Sequence, residues 1–206
     1  MPVNKALLVI DVQNDFCPGG HLAVERGDEV VPVINQLLNC FQISILTQDW
    51  HPQNHTSLVS NHPGAEPFSM INLDYGPQVL WPDHCVQGSD GAAFHPDLVT
   101  DGADLILRKG YNSNIDSYSA FFENDRKTPT GLLGYLRERE IEEVVLAGLA
   151  TDFCVRFSAV DAAKLGFRVK LVEDACRAID LDGSLDAAMD DMRAHDVAFV
   201  KSGALI

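Results

Sequence analysis

Cys154 is the residue of this chain best placed to act as a nucleophile. It follows the apolar run Val144-Val145-Leu146-Ala147 and the turn Gly148-Leu149-Ala150-Thr151, and apolar or small residues recur after it at Val155, Ala159, Ala162 and Ala163. That order reads as strand, tight turn and helix. In the first turn of a helix a cysteine meets unpaired backbone N–H groups and the positive end of the helix dipole, which favour a thiolate and can receive an oxyanion. A lone cysteine is more often just a small buried hydrophobe, so the case depends on what stands at the other strand ends. Asp11 closes the run Leu7-Leu8-Val9-Ile10, too near the interior for cheap solvation, and an ionised carboxylate there calls for a cationic partner. Lys109, after a third apolar run, is the natural candidate. A carboxylate near a thiol can accept its proton, and a neighbouring lysine keeps that carboxylate ionised until it does. Singly, Asp11 reads as a cap or turn residue and Lys109 as a solvated cation; with Cys154 they form a candidate Cys-Asp-Lys triad.

A second constellation has the composition of a metal site. Asp49-x-His51 offers two ligands on the same side of an extended strand end, because side chains there repeat every two residues. His84, in Trp81-Pro82-Asp83-His84-Cys85, offers a third. One carboxylate with two imidazoles suits zinc, iron or manganese and leaves positions open for water or substrate. His55 and His62 are further candidate ligands, for which loop solvation is the stronger reading. His21, His95 and His195 belong to no constellation. The five cysteines are odd in number, widely spaced and free of any C-x-x-C pair, which points away from a disulfide framework and from a four-cysteine zinc site.

These residues need a scaffold that brings distant strand ends to one rim. Six continuous apolar runs, at 6–10, 43–47, 103–107, 144–147, 167–172 and 197–200, have the character of parallel strands covered on both faces. Helical patterns lie between several of them: Asp28 is expected to cap one through about Cys40, Thr130 one through about Arg139, and Ser184 one through about Ala194, while the Cys154 helix runs to about Leu165. The expected fold is a three-layer α/β/α domain around a six-stranded, mainly parallel sheet, residues 1–206 forming one domain. Residues 50–102, rich in Pro, Gly, Asn and His, form a long connection expected to wall part of a site. Ligands of such sheets bind beyond the carboxyl ends of the strands, where Asp11, Asp49, His51, Lys109 and Cys154 all fall.

Fifteen basic against thirty acidic residues give a formal charge of -15, which disfavours nucleic acid and anionic membranes as partners. No apolar run approaches a membrane span, and the first one is cut by Asp11, Asn14 and Asp15, unlike a signal peptide. A cytoplasmic location is expected, and self-association into a homo-oligomer stays open.

The runs Ile10-Asp11-Val12-Gln13-Asn14-Asp15-Phe16, Thr47-Gln48-Asp49-Trp50-His51-Pro52, Trp81-Pro82-Asp83-His84-Cys85-Val86, Lys109-Gly110 and Gly148 to Val155 together resemble nicotinamidases of the isochorismatase-like hydrolase superfamily, in collinear order over nearly the whole chain. The resemblance implies a triad of Asp11, Lys109 and Cys154, and a divalent metal, zinc first with iron or manganese as alternatives, on Asp49, His51 and His84. It further implies a cis peptide before Ala150, with the Ala150 and Cys154 N–H groups as oxyanion hole, and a pyridine ring held by Phe16, Trp81 and Tyr118 beside Ala150. The implied reaction is hydrolysis of nicotinamide, and of pyrazinamide, through a thioester. Other amidohydrolases of the superfamily, acting on ureido or carbamoyl groups, and isochorismatases are the alternative, and would not be expected to keep Asp49, His51 and His84 whole.

Overall fold

A computed structural model of the protein describes residues 4–206. Its centre is a sheet of six parallel strands: β1 (Lys5–Ile10), β2 (Ile43–Asp49), β5 (Leu105–Lys109), β6 (Glu143–Leu149), β7 (Arg168–Arg177) and β8 (Ala198–Val200), in the spatial order β5-β2-β1-β6-β7-β8. Every strand predicted from an apolar run is present, and the sheet is wholly rather than mainly parallel.

The alternation of β1 explains the layers. Ala6, Leu8 and Ile10 point into one apolar cluster, shared with Leu132 and Leu136 of α2 (Leu132–Glu138), Ala159 and Ala162 of α3 (Arg156–Lys164) and Met192 of α4 (Ser184–Ala194). Leu7 and Val9 point into the other, against Val30, Val31, Ile34 and Leu37 of α1 (Val30–Leu38). Each fully buried leucine contributes about 1.5–3 kcal/mol of transfer free energy. A strand buried on both faces therefore has to be apolar throughout.

The helices differ from expectation at their starts. Asp28 lies inside a short 3-10 turn, Gly27–Glu29, and caps nothing. Ser184 opens α4 itself and gives its hydroxyl to Asp152 instead. Only Thr130 comes close, its Oγ1 accepting the Leu132 N–H at 3.3 Å.

Within 50–102 lie a 3-10 turn, Val59–Asn61, and an antiparallel hairpin of β3 (Met70–Leu73) and β4 (Gly76–Val79), which the sequence did not announce. The strands are four residues each and Pro77 sits in one of them, so the periodic signal is weak. The rest is loop.

Gly148 fixes how the two central strands end. Its φ is +122°, and a Cβ there would fall 2.1 Å from the Ile10 carbonyl oxygen. Only glycine lets β6 approach so closely, and the approach sets Asp11 beside the turn that carries Cys154.

Candidate active site

Asp11 leaves β1 with φ +48° and is fully buried. Its N–H donates to Thr47 Oγ1 at 3.1 Å, and the Thr47 hydroxyl donates back to Asp11 Oδ1 at 2.6 Å. Lys109, the last residue of β5, is buried as well, and its Nζ lies 2.8 Å from Asp11 Oδ2. The same ammonium hydrogen-bonds to Asp49 Oδ1 at 2.8 Å, the Ser117 carbonyl at 2.9 Å and Cys154 Sγ at 3.4 Å. Asp11 Oδ2 lies beside this ammonium and the Cys154 thiol, and a carboxylate oxygen keeps a further lone pair for an incoming proton. The ligand atoms of Asp11, Asp49 and Cys154 all lie within 4.8 Å of one another.

The electrostatics correct one expectation. Burial pushes the Cys154 thiol well above its ordinary pKa; Lys109 opposes this and the Asp11 and Asp49 carboxylates add to it. Burial beside two carboxylates thus favours the thiol, against the thiolate expected at the start of a helix. Burial also raises Asp11, with Lys109 working against it, which makes Asp11 a stronger base than a solvated aspartate. Burial disfavours the Lys109 charge, yet Asp11 and Asp49 more than offset it and hold its pKa well above the usual lysine value. Cys154 sits in the π-turn Thr151–Val155 that leads into α3, and the Leu149–Ala150 peptide before that turn is cis.

Asp49, His51 and His84 converge. Asp49 Oδ2 is 3.2 Å from His51 Nε2 and 3.7 Å from His84 Nε2, and all three residues are buried. The remaining ring nitrogens face carbonyl oxygens, His51 Nδ1 to Gly110 at 2.9 Å and His84 Nδ1 to Pro82 at 2.8 Å. A carbonyl can only accept, so each ring carries a proton on Nδ1 and directs Nε2 towards Asp49; burial opposes a second proton on His51, but the Asp49 carboxylate more than offsets it and raises the His51 pKa to about 9. Gly110, at φ +65°, makes room, since a Cβ would come 2.6 Å from the His51 ring. An anionic oxygen and two oriented imidazole nitrogens fit a divalent cation such as zinc. Burial opposes the Asp49 charge, but Lys109 and His51 hold its pKa well below the ordinary value.

His55 departs from the solvated-loop reading. It is fully buried, stacked 4.2 Å from the His51 ring, and hydrogen-bonded through Nδ1 to Ser57 Oγ. Burial and the neighbouring His51 lower its pKa to about 4, so it is neutral. His62 turns its Nε2 to the Thr56 carbonyl, 2.7 Å away.

Cys154, Asp49 and His84 border one narrow cleft that opens to solvent. Its other walls include Phe16, Trp81, Tyr118 and Ala150, as expected, and also Leu22, Asp116, Phe153 and Ile179, which the sequence reading did not single out. Phe153 packs edge-on against Trp81, centroids 4.8 Å apart, and Trp81 Nε1 donates to the Tyr118 hydroxyl at 3.1 Å. Phe153 could have been inferred, being next to the nucleophile. Leu22, Asp116 and Ile179 lie in loops with no periodic or motif signal.

A sequence model of the isochorismatase domain matches residues 5–203. A nicotinamidase of Acinetobacter baylyi is 56% identical over 199 residues, 97% of this chain and 93% of that protein. Among solved structures, a nicotinamidase/pyrazinamidase of Acinetobacter baumanii superposes with a TM-score of 0.98 at 55% identity, covering both chains completely. A pyrazinamidase of Pyrococcus horikoshii in complex with zinc superposes with a TM-score of 0.77 at 33% identity, over 96% of this chain and 99% of that one.

Proposed function

The chain belongs to the isochorismatase family, and we propose that within it this protein is the amidohydrolase that converts nicotinamide and water into nicotinate and ammonia. The observation that carries the proposal is the contact of Cys154, Asp11 and Lys109 beside a cleft walled by aromatic side chains.

Phe16, Trp81, Tyr118 and Phe153 enclose the pyridine ring and exclude water, which leaves the carboxamide carbon facing Cys154 Sγ. Sulfur attacks that carbon while its proton passes to Asp11 Oδ2, so no free thiolate is required beforehand. The Ala150 and Cys154 N–H groups receive the oxyanion; a donor of this kind contributes about 10²–10³ in kcat. As the tetrahedral carbon collapses, Asp11 returns the proton to the departing nitrogen and ammonia leaves a thioester on Cys154. Water then gives a proton to Asp11 and attacks the thioester carbonyl, and sulfur leaves with that proton. Lys109 holds Asp11 ionised between transfers and stays charged throughout.

Asp49, His51 and His84 would hold a divalent metal ion, zinc being the first choice and iron or manganese the alternatives, which would supply a Lewis acid for a lone pair such as that of a ring nitrogen or water. Pyrazinamide keeps both the amide and a ring nitrogen, so it falls within the proposed range. The protein is read as one domain with 50–102 forming a wall of the site, acting on small free amides in the cytoplasm, with no nucleic-acid or membrane partner and with homo-oligomerisation allowed. Among the described residues no helix is long and apolar enough to cross a membrane.

The test is a coupled ammonia assay over nicotinamide, pyrazinamide, benzamide and a ureido amide, with metal analysis of the same sample. Release is expected from the first two, far more slowly from benzamide, and not from the ureido amide. Turnover confined to the ureido amide would overturn the proposal.

A further inference from the structure

The segment after β1 carries two buried polar residues that the reaction does not use. Gln13 is fully buried and turns its side-chain amide onto the main chain of Asp49: Oε1 accepts the Asp49 N–H at 2.8 Å, and Nε2 donates to the Asp49 carbonyl at 2.8 Å and to the Ala92 carbonyl at 2.9 Å. On its other side Asp49 pairs with Lys109 of β5. Strand β1 has already ended at Ile10, so the Gln13 amide stands in for the missing strand neighbour and continues the ladder by one peptide. Two residues on, the buried Asp15 accepts the Cys85 N–H through Oδ2 at 2.7 Å, directly after His84. Its Oδ1 takes the N–H of His21 at 3.1 Å and the His21 Nδ1 at 2.7 Å. Gly91 closes over this carboxylate, with room for no Cβ.

Thus one short segment, alternating Asp11, Gln13 and Asp15, holds the proton acceptor and also ties down the backbone at two of the three metal-ligand positions. We propose that Gln13 and Asp15 are positioning residues that fix Asp49 and His84 relative to Asp11, so that metal affinity depends on them as well as stability. The inference rests on reading Asp49, His51 and His84 as the metal set. Neither residue lines the cleft, and Gln13 meets the triad only through its main chain, its N–H donating to the Asp11 carbonyl at 2.9 Å; the two side chains act through the ligands, as outer hydrogen-bonding partners of metal sites do.

The experiment uses zinc binding, independent of turnover. The full-length protein, stripped of metal, is titrated with zinc against a chromophoric chelator, and thermal midpoints are recorded for the metal-free forms. Gln13→Met keeps the length and removes the amide; Asp15→Asn keeps the shape and removes the charge. Asp174→Asn is the comparison, since Asp174 clamps the Ser202 N–H and hydroxyl in the same manner but contacts none of the three ligands. Zinc affinity is expected to fall about 10–100-fold in Gln13→Met and Asp15→Asn, the usual loss for such partners, and to stay near wild type in Asp174→Asn even where the midpoint drops equally. Should one variant fail to fold, the other reads the same effect. Wild-type affinity in the folded Gln13 and Asp15 variants would overturn the inference, as would an equal fall in Asp174→Asn. Wild-type protein that takes up no zinc would instead remove the metal reading itself, and this inference with it.

Discussion

Burial does not single out a nucleophile among the cysteines. Burial pushes Cys17 up to about 11 and Cys176 to about 12, Cys85 is raised well above the ordinary thiol value, and so is Cys154. What distinguishes Cys154 is Lys109 at 3.4 Å and the Asp11 carboxylate beside it. Cys154→Ala should therefore abolish ammonia release while nicotinamide still binds, whereas Ser at Cys17, Cys40, Cys85 or Cys176 should cost far less; near-wild-type turnover in Cys154→Ala would end the thioester mechanism. Removing the acceptor with Asp11→Asn should cost about 10²–10⁴ in rate. Because Asp11 and Lys109 act as a unit, Asp11→Asn/Lys109→Met should be scarcely slower than the slower single variant, and multiplying losses would show them uncoupled. The pH profile follows from the same contacts. Catalysis needs ionised Asp11, so activity falls as pH drops through its folded pKa, and since burial raises that value above 3.8 the acid limb of kcat/KM should lie above it. The Thr47 hydroxyl favours the ionised form, so Thr47→Val should move the limb to still higher pH; a move to lower pH would contradict the assignment.

At the scale of elements, the site is a set of strand ends, and Gly148 joins the two that matter most. Gly148→Ala would force a Cβ onto the Ile10 carbonyl at φ +122°, which should destabilise the protein by more than about 1 kcal/mol. It should also lower kcat, since β1 carries Asp11 and β6 leads to Cys154. A variant that melts and turns over like wild type would show that this approach is not needed. The strands were legible because a parallel strand covered on both faces must be apolar throughout, as β1 and β6 are. Their ends were less so: β7 continues five residues past its apolar run into Glu173 and Asp174, and Cys176 and Arg177 pair there with Gly148 and Leu149 across an irregularity in the ladder. That Asp49, His51 and His84 would come together was suggested by residue type, by the Asp49-x-His51 spacing and by the family resemblance. The contact of Lys109 with Asp49 as well as Asp11, the burial of His55 and the walls at Leu22, Asp116 and Ile179 were not. The first follows from the register of β2 with β5 and the others arise where loops distant in sequence meet, and no local pattern encodes either.

For the molecule as a whole, a formal charge of -15 surrounds a site whose proposed substrate is neutral and whose organic product is an anion, so the field does not hinder entry and favours nicotinate release. Specificity then has to come from the cleft. Phe16, Trp81, Tyr118 and Phe153 would accept any flat ring of this size, benzamide included. Asp49, His51 and His84 offer the distinguishing chemistry, because a metal on them has a use for the lone pair of a ring nitrogen and benzamide has none. A bond there would chiefly orient the carboxamide against Cys154, a proximity effect that small displacements destroy. Nicotinamide should therefore be a far better substrate than benzamide in metal-loaded protein. The ratio of their kcat/KM values should shrink towards unity on metal removal by a chelator, and likewise in His51→Ala. If both amides instead lose activity in equal proportion and the preference survives, the ring nitrogen is read by the aromatic walls, and the part played by Asp49, His51 and His84 is structural or lies in preparing the water.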